Sequence, residues 1–248
     1  MSIGSVNAAF ISTSEKGDER RTIKWMESLW QDCEGGDSWQ MWPDWGLLEA
    51  LWRPAFLDTT PFRERMHAQL DQESLQRELI ISAVDYDTGK TIVFDNESMK
   101  TGWDIAESVI SSASIPGFFV PNEYLGYHFG DGGIYANLQL TEAIHKCKEK
   151  GTPAEDIIVD IIMCQAYRID MEEWTERESK FFNAWQLWNR KEFLKYYYSY
   201  YEDVTRVVRA FPEVQFRHLI SPRQNIETDF IPMFDTREQI KGFFDIGY

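Results

Sequence analysis

The sequence predicts an α/β fold in which helices and strands pack in layers. Two short apolar runs, Leu79–Val84 and Thr91–Phe94, flank the turn sequence Asp87-Thr88-Gly89-Lys90 and predict a β-hairpin. Apolar residues then recur at helical spacing between Asp104 and Ser112, and the branched run Ile157–Met163 is typical of a buried parallel strand. Strands and helices that alternate in this order favour the layered class.

The remaining elements are predicted by the same criteria. Small and apolar residues from Gly4 to Ser12 predict a helix, and we expect Gly4 and Ala8 to let that helix approach a sheet closely. Three further elements follow: a strand at Tyr127–Phe129, a helix that Thr141 caps and that runs through Lys150, and helical structure over Met171–Ala210. At 248 residues without an evident long linker, a single domain spanning residues 1–248 is expected.

Charge and cysteine content exclude several classes of protein. With 25 basic and 41 acidic residues the net charge is 25 − 41 = −16, which disfavours nucleic acid and anionic membrane surfaces as partners. Cys33, Cys147 and Cys164 have neither disulfide-framework nor zinc spacing, so a reducing, cytoplasmic location is expected. The most apolar stretch is too short to span a bilayer.

Three stretches carry the most specific signal. The first, Ser2-Ile3-Gly4-Ser5-Val6-Asn7-Ala8-Ala9, has the pattern of a nucleophile elbow, the sharp turn that presents a serine hydroxyl. The second is the proline and aromatic segment from Ser112 to Pro121, and the third is Gly130-Asp131-Gly132-Gly133. Together and in this order they resemble the patatin-like phospholipase family, and the resemblance covers nearly the whole chain.

The resemblance implies a three-layer α/β/α hydrolase fold with a mostly parallel central sheet. It also implies a serine-aspartate dyad that hydrolyses acyl esters of lipids, with neither a metal nor an organic cofactor. Carried over to this sequence, Ser2 is the nucleophile and Asp131 the base that takes its proton. Gly4, Gly130, Gly132 and Gly133 support the two motifs, since glycines permit the tight loop that brings the Asp131 carboxylate within hydrogen-bond reach of Ser2.

The sequence departs from the family pattern before Ser2. The first glycine of the elbow and the upstream glycine-rich loop that donates N–H groups to the oxyanion are not in the chain, and losing one such donor costs about 100- to 1000-fold in rate. We therefore expect an incomplete member that lacks its first strand, either trimmed, completed by a partner chain, or degenerate. Expressed alone it is expected to be insoluble or oligomeric and at least about 100-fold slower than an extended chain. The alternative function is an impaired relative that binds lipids or other proteins.

Other residues offer competing sites. His128, three residues before Asp131, is the one rival base, although a packed or surface histidine is the commoner role at such a position. A third possibility makes Ser2 a free N-terminal nucleophile after removal of Met1. Six tryptophans lie between residues 25 and 52; most are expected in the core, and Trp39, Trp42 and Trp45 are the best candidates for an apolar lid over the site.

Overall fold

The computed structural model describes residues 1–31, 38–136, 138–164 and 183–222, together with 238 and 242. The chain forms two compact units. The first unit comprises Met1–Ala136 and Asp229–Lys241, and the second comprises Asn137–Thr228 and Gly242–Tyr248. Both candidate catalytic residues belong to the first unit.

The first unit contains four helices and four strands in its described part. The helices are α1 (Gly4–Ser12), α2 (Glu19–Gln31), α3 (Thr60–Leu70) and α4 (Gly102–Ala113), with short 3-10 helices at Gly46–Leu51 and Gly132–Ile134. The strands are β1 (Ile81–Asp85), β2 (Thr91–Phe94), β3 (Asn122–Tyr124) and β4 (Tyr127–Asp131). The predicted α1, hairpin and α4 are confirmed, and α4 begins two residues early because Thr101 and Asp104 form a reciprocal capping box.

The sheet of the first unit has the strand order β2-β1-β4-β3, and every pair in it is antiparallel. The prediction of a mostly parallel central sheet is therefore wrong for this sheet. The physical reason is the connections: β1 and β2, like β3 and β4, are joined by short turns, and a short turn can only return the chain antiparallel. The α/β class itself is shown, whereas the three-layer arrangement stays a prediction.

The core of the first unit lies between α1, α3, α4 and the sheet. Val6 and Phe10 of α1 are fully buried against residues of α4 and β1, among them Val109 and Ile81. The expected close approach through Gly4 is wrong, since Gly4 is exposed and a Cβ added there meets no atom within 4 Å. Helix α1 reaches the core through Val6, Ala9 and Phe10 instead.

The second unit pairs two parallel strands and contains two described helices. Strand β5 (Ile158–Ile162) pairs in parallel with β6 (Gln215–Ile220), and the helices are α5 (Leu140–Glu149) and α6 (Ala184–Ala210). The prediction of a buried strand is wrong in burial, because within β5 only Ile161 is buried. Thr141 is not the cap, since α5 begins at Leu140. The part of the predicted helical segment before residue 183 lies outside the described residues.

Candidate active site

Ser2 lies at a strained turn immediately before α1. Its φ is +50°, a conformation that non-glycine residues rarely adopt and that is characteristic of residues held in place at functional sites. The Ser2 carbonyl accepts hydrogen bonds from the backbone N–H of Ser5 at 2.8 Å and from the Ser5 hydroxyl at 2.6 Å. The turn is thus tied to the first residues of the helix that follows it.

Ser112 of α4 holds the other side of the turn. The backbone N–H of Ser2 donates to Ser112 Oγ at 3.0 Å, and the Ser112 hydroxyl in turn donates to the carbonyl oxygen of Ser82 on β1 at 2.7 Å. Ser112 is fully buried. A chain of two hydrogen bonds therefore links the backbone of Ser2 to the centre of the sheet.

Asp131 ends β4 and begins the 3-10 turn Gly132–Ile134. Its backbone N–H donates to the Ser114 carbonyl at 2.8 Å, and its Oδ1 accepts the N–H of Gly133 at 2.7 Å. The other carboxylate oxygen, Oδ2, accepts the hydroxyl of Ser2 at 2.5 Å. The fold thus joins two side chains that are 129 positions apart. This distance meets the expectation of hydrogen-bond reach, while the catalytic roles of both residues stay predictions.

The glycines of the Asp131 loop allow close packing. A Cβ added to Gly132 lies 2.6 Å from the carbonyl oxygen of Ser82, a contact that only a backbone shift could relieve. At Gly130 an added Cβ meets the ring and hydroxyl of Tyr86, at 2.1 Å from the hydroxyl oxygen. Gly133 contributes its N–H to the Asp131 carboxylate. Only glycine at position 132 therefore lets the loop lie against β1.

Burial sets the electrostatics of Asp131. Desolvation raises the pKa of its carboxyl, and this effect outweighs the hydrogen bonds from Ser2 and Gly133 and the charge of the Met1 amino group, which act in the opposite direction. The neighbouring Tyr86 has a raised pKa as well, through desolvation and then through the charge of Asp131. The carboxylate is therefore a stronger base than an exposed aspartate.

The rival base is directed to another partner. His128 Nδ1 lies 3.0 Å from Oδ2 of Asp87, and the histidine side chain is about half exposed. Among the hydrogen bonds of the described residues, none joins a histidine to Ser2 or Asp131. His128 is paired with Asp87, whereas the carboxylate hydrogen-bonded to the Ser2 hydroxyl is that of Asp131.

The three lid candidates have different environments. Trp39 is buried with Leu57 and Phe119, so the expectation that it lines a surface is wrong. Trp42 is half-buried and donates its indole N–H to the Ala55 carbonyl at 3.0 Å. Trp45 is 67 % exposed. Only Trp45 retains the exposure that a lipid-contacting residue needs.

Sequence reasoning gave no role to the residues that surround the dyad. Ser112 and Ser114 belong to the proline and aromatic segment, and Ser82 and Tyr86 lie in the predicted hairpin, but the sequence pattern does not distinguish them from their neighbours. The hydroxyl of Ser82 is buried and has no hydrogen-bond partner among the described residues. Only the serine-rich end of α4 carries a signal, since Ser111 and Ser112 within the helix and Ser114 at its C-cap are three serines within four residues, and serine is not a favoured helix-interior residue.

Exposed apolar side chains follow each part of the site along the chain. Ile3 succeeds Ser2, Ile115 succeeds Ser114, and Ile134 and Tyr135 follow the Asp131 loop; all four are exposed. The described chain segments that build the site are thus each followed by an exposed apolar side chain.

Comparison with known protein families identifies the class. The model of the patatin-like phospholipases matches residues 1–144, which include both Ser2 and Asp131. The match covers more than half of the chain, so the protein belongs to the patatin-like phospholipase family, a family of hydrolases that act on lipids. Comparison with curated proteins gives no match.

The described part of the chain has neither a cluster of metal-ligating side chains nor an apolar membrane-spanning helix. Within the described ranges no group of three or more His, Cys, Asp or Glu side chains is arranged to hold a metal ion. None of the helices in that part of the chain is both long and apolar enough to cross a bilayer.

Proposed function

We propose that the protein is a lipid acyl hydrolase of the phospholipase A or lysophospholipase type, with Ser2 as nucleophile and Asp131 as general base. The observation that carries the proposal is the 2.5 Å hydrogen bond from Ser2 Oγ to Asp131 Oδ2 at a strained turn before a helix. A serine hydroxyl is a weak nucleophile until an adjacent base removes its proton. In the proposed dyad that base is the Asp131 carboxylate, which accepts a hydrogen bond from the Ser2 hydroxyl.

In the first half-reaction Ser2 Oγ attacks the carbonyl carbon of the ester while Asp131 Oδ2 accepts the hydroxyl proton. The carbonyl π pair moves onto oxygen, and the tetrahedral intermediate collapses with loss of the alcohol, which takes the proton back from Asp131. The product is an acyl ester on Ser2. The raised pKa of Asp131 favours this step because a more basic carboxylate shares the proton more completely.

The start of α1 is suited to stabilise the oxyanion. The described backbone hydrogen bonds of this helix begin with the N–H of Ser5, which leaves the N–H groups of Ile3 and Gly4 facing the end of the helix. The residue after the nucleophile supplies such a donor in related elbows, and a helix N-terminus favours negative charge. We propose that these two N–H groups donate hydrogen bonds to the oxyanion. Because Gly4 is exposed, the ester has room to approach them.

In the second half-reaction water replaces the alcohol. Asp131 takes a proton from the attacking water, a second tetrahedral intermediate forms, and its collapse releases the fatty acid as Ser2 Oγ recovers the proton. The two steps use the same base and the same oxyanion donors. Ser2, Asp131, the ester and water together account for every proton that is transferred in the two half-reactions.

Apolar neighbours of the dyad support a fatty acyl substrate. Ile3, Ile115, Ile134 and Tyr135 are exposed directly after the segments that build the site. Each CH₂ removed from water contributes about 0.8 kcal/mol, so long acyl chains gain most from such a surface. A cytoplasmic location belongs to the same proposal and is supported by Cys147 and Cys164, both free thiols.

Substitution of the dyad tests the function. Ser2→Ala and Asp131→Asn should each abolish hydrolysis of a short-chain nitrophenyl ester, and the double variant should lose no more than either, because residues that act as one unit are non-additive. A fluorophosphonate should label the parent protein and not Ser2→Ala. Ser14→Ala, whose hydroxyl donates only to the Phe10 carbonyl at the end of α1, serves as the control with full activity. Retained activity or labelling in Ser2→Ala overturns the proposal.

A further inference from the structure

One surface segment of the first unit has its apolar side chains facing outward. It lies between residues 45 and 56 and includes the 3-10 helix Gly46–Leu51. We call it the tryptophan-leucine surface, and its exposed members are Trp45, Leu47, Leu48, Leu51, Trp52 and Phe56. Because a 3-10 helix has three residues per turn, Trp45, Leu48 and Leu51 share one face, and they are 67 %, 60 % and 82 % exposed.

One of the two charged side chains of this segment, Glu49, is turned inward, whereas Arg53 is partly exposed. Glu49 is buried, and its Oε1 accepts the backbone N–H groups of Asp44 and Trp45, both at 3.1 Å. Its Oε2 pairs with Arg53 Nε at 3.1 Å, and the Arg53 guanidinium lies 4.8 Å from the centre of the Trp42 ring. A buried carboxylate with satisfied hydrogen bonds fixes the segment while its leucines face water. This inverted arrangement costs stability unless something apolar covers it.

The C-terminal end of this surface is hydrogen-bonded to the segment that follows α4. The Phe56 N–H donates to the Gly117 carbonyl at 2.8 Å, and the Leu57 N–H donates to the Phe118 carbonyl at 3.1 Å. Gly117 and Phe118 follow closely on Ser112 and Ser114, which hold the backbones of Ser2 and Asp131. The rings of Phe56 and Phe118 are 5.8 Å apart.

We propose that the tryptophan-leucine surface docks the protein on a zwitterionic phospholipid surface, an inference that rests on the proposed lipid acyl hydrolase function. Tryptophan and leucine on one face are suited to the boundary between head groups and acyl chains. Charge selects the lipid class: residues 45–56 contain Glu49 and Arg53, which pair, and the chain as a whole carries −16. A net negative protein is repelled by anionic lipids, so phosphatidylcholine is the favoured surface.

Vesicle flotation measures this docking without hydrolysis. The full chain carrying Ser2→Ala should float with dioleoylphosphatidylcholine vesicles. Adding Leu48→Ser and Leu51→Ser should weaken this partitioning at least about tenfold, since two exposed leucines are lost from the contact. Binding should persist in about 0.5 M NaCl, because an apolar contact is not screened, and should fall when phosphatidylglycerol is added.

The matched control removes apolar side chains elsewhere. Ile23 on α2 and Leu125 in the β3–β4 turn are 57 % and 66 % exposed, and Leu125 lies at the opposite end of β4 from Asp131. Ile23→Ser with Leu125→Ser should leave flotation unchanged. Equal loss in both double variants, no flotation of the parent, or tighter binding to anionic vesicles each overturns the proposal. So does a dimer that Leu48→Ser and Leu51→Ser dissociate while vesicles are ignored, because the surface then binds a second copy.

Hydrolysis of a soluble ester separates this inference from the proposed function. With Ser2 present, the Leu48→Ser, Leu51→Ser variant should hydrolyse a short-chain nitrophenyl ester at the parent rate, which also verifies its fold. It should lose activity only on vesicles. Failure of the dyad appears as ester hydrolysis that survives Ser2→Ala, whereas failure of the docking surface appears only in flotation.

Discussion

Replacing Ser112 by alanine should lower the activity that depends on the proposed nucleophile, Ser2, without changing Ser2 itself. The substitution removes the acceptor of the Ser2 N–H at 3.0 Å and the donor to the Ser82 carbonyl at 2.7 Å. A buried polar group left unsatisfied costs about 1–3 kcal/mol, and because Ser2 is only half-buried we expect the free energy of unfolding to fall by about 1–3 kcal/mol in total.

The effect on rate follows from the strain at Ser2. Holding a non-glycine residue at a φ of +50° costs about 1–3 kcal/mol, and the bond to Ser112 is one of the contacts that oppose relaxation. If the turn relaxes, the population with Ser2 poised against Asp131 falls, and kcat should drop about 5- to 100-fold. KM for a short soluble ester should change little, because Ser112 is buried and contacts no substrate.

Ser108→Ala is the matched control on the same helix. Ser108 is also fully buried on α4, but its hydroxyl donates at 2.8 Å to the Asp104 carbonyl, within the helix itself. Its removal should leave kcat unchanged. Steady-state kinetics well below the melting temperature, with the folded fraction checked by circular dichroism, compares the two variants. A folded Ser112→Ala protein with the kcat of Ser108→Ala would refute the positioning role.

Two further predictions concern Asp131 and the glycines. Because the pKa of Asp131 is raised, the acid-side fall of kcat/KM should occur at a pH above 3.8, the ordinary pKa of an aspartate. A folded-state pKa above the unfolded value also means that stability is lost as pH rises through the folded-state pKa. Asp131→Asn should therefore melt at a higher temperature than the parent at pH 7, with the difference shrinking towards acid pH; a lower melting temperature at pH 7 contradicts this. Gly132→Ala should destabilise the fold and abolish ester hydrolysis because its methyl meets the Ser82 carbonyl, whereas Gly4→Ala, with open space around it, should be as stable as the parent by thermal melting. Equal melting temperatures for the two glycine variants would contradict the packing argument.

The contact between Ser2 and Asp131 could be predicted because the two motifs resemble those that the patatin-like phospholipases pair, whereas the local sequence indicates only the two turns. Ser2 followed by Gly4 and small residues specifies a helix start, and the glycines around Asp131 specify a tight loop. The partners of Ser112 could not be predicted in the same way. Which hydroxyl on α4 reaches the Ser2 N–H depends on the rotation of that helix against β1, and tertiary packing sets that rotation.

Hydrophobic pattern located the strands but failed on the burial of β5. The hairpin of β1 and β2 and the parallel direction of β5 are as predicted, whereas the mostly parallel central sheet was an expectation from the family resemblance, since an apolar run alone does not state which strand it pairs with. In β5 the branched residues predicted burial on both faces, but Ile158 and Ile162 are exposed. Burial depends on whether another layer covers each face, and the residues of a single strand carry no information about that layer.

The strained backbone of Ser2 and the buried carboxylate of Asp131 both raise the energy of the site. Ser2 stands in an unfavourable backbone conformation, and Asp131 bears a carboxylate that burial makes costly, so each residue would lower its energy by relaxing. Hydrogen bonds to β1 and to the end of α4 oppose this relaxation. The Ser112 hydroxyl donates to the Ser82 carbonyl, the Ser2 N–H donates to Ser112 Oγ, and the Asp131 N–H donates to the Ser114 carbonyl. The same contacts that hold Ser2 in its unfavourable conformation and Asp131 in its buried position also bring the two side chains together. Under the proposed mechanism, stability that the core provides holds the Ser2–Asp131 pair together, which is why we expect Asp131→Asn to gain stability and lose activity in one step.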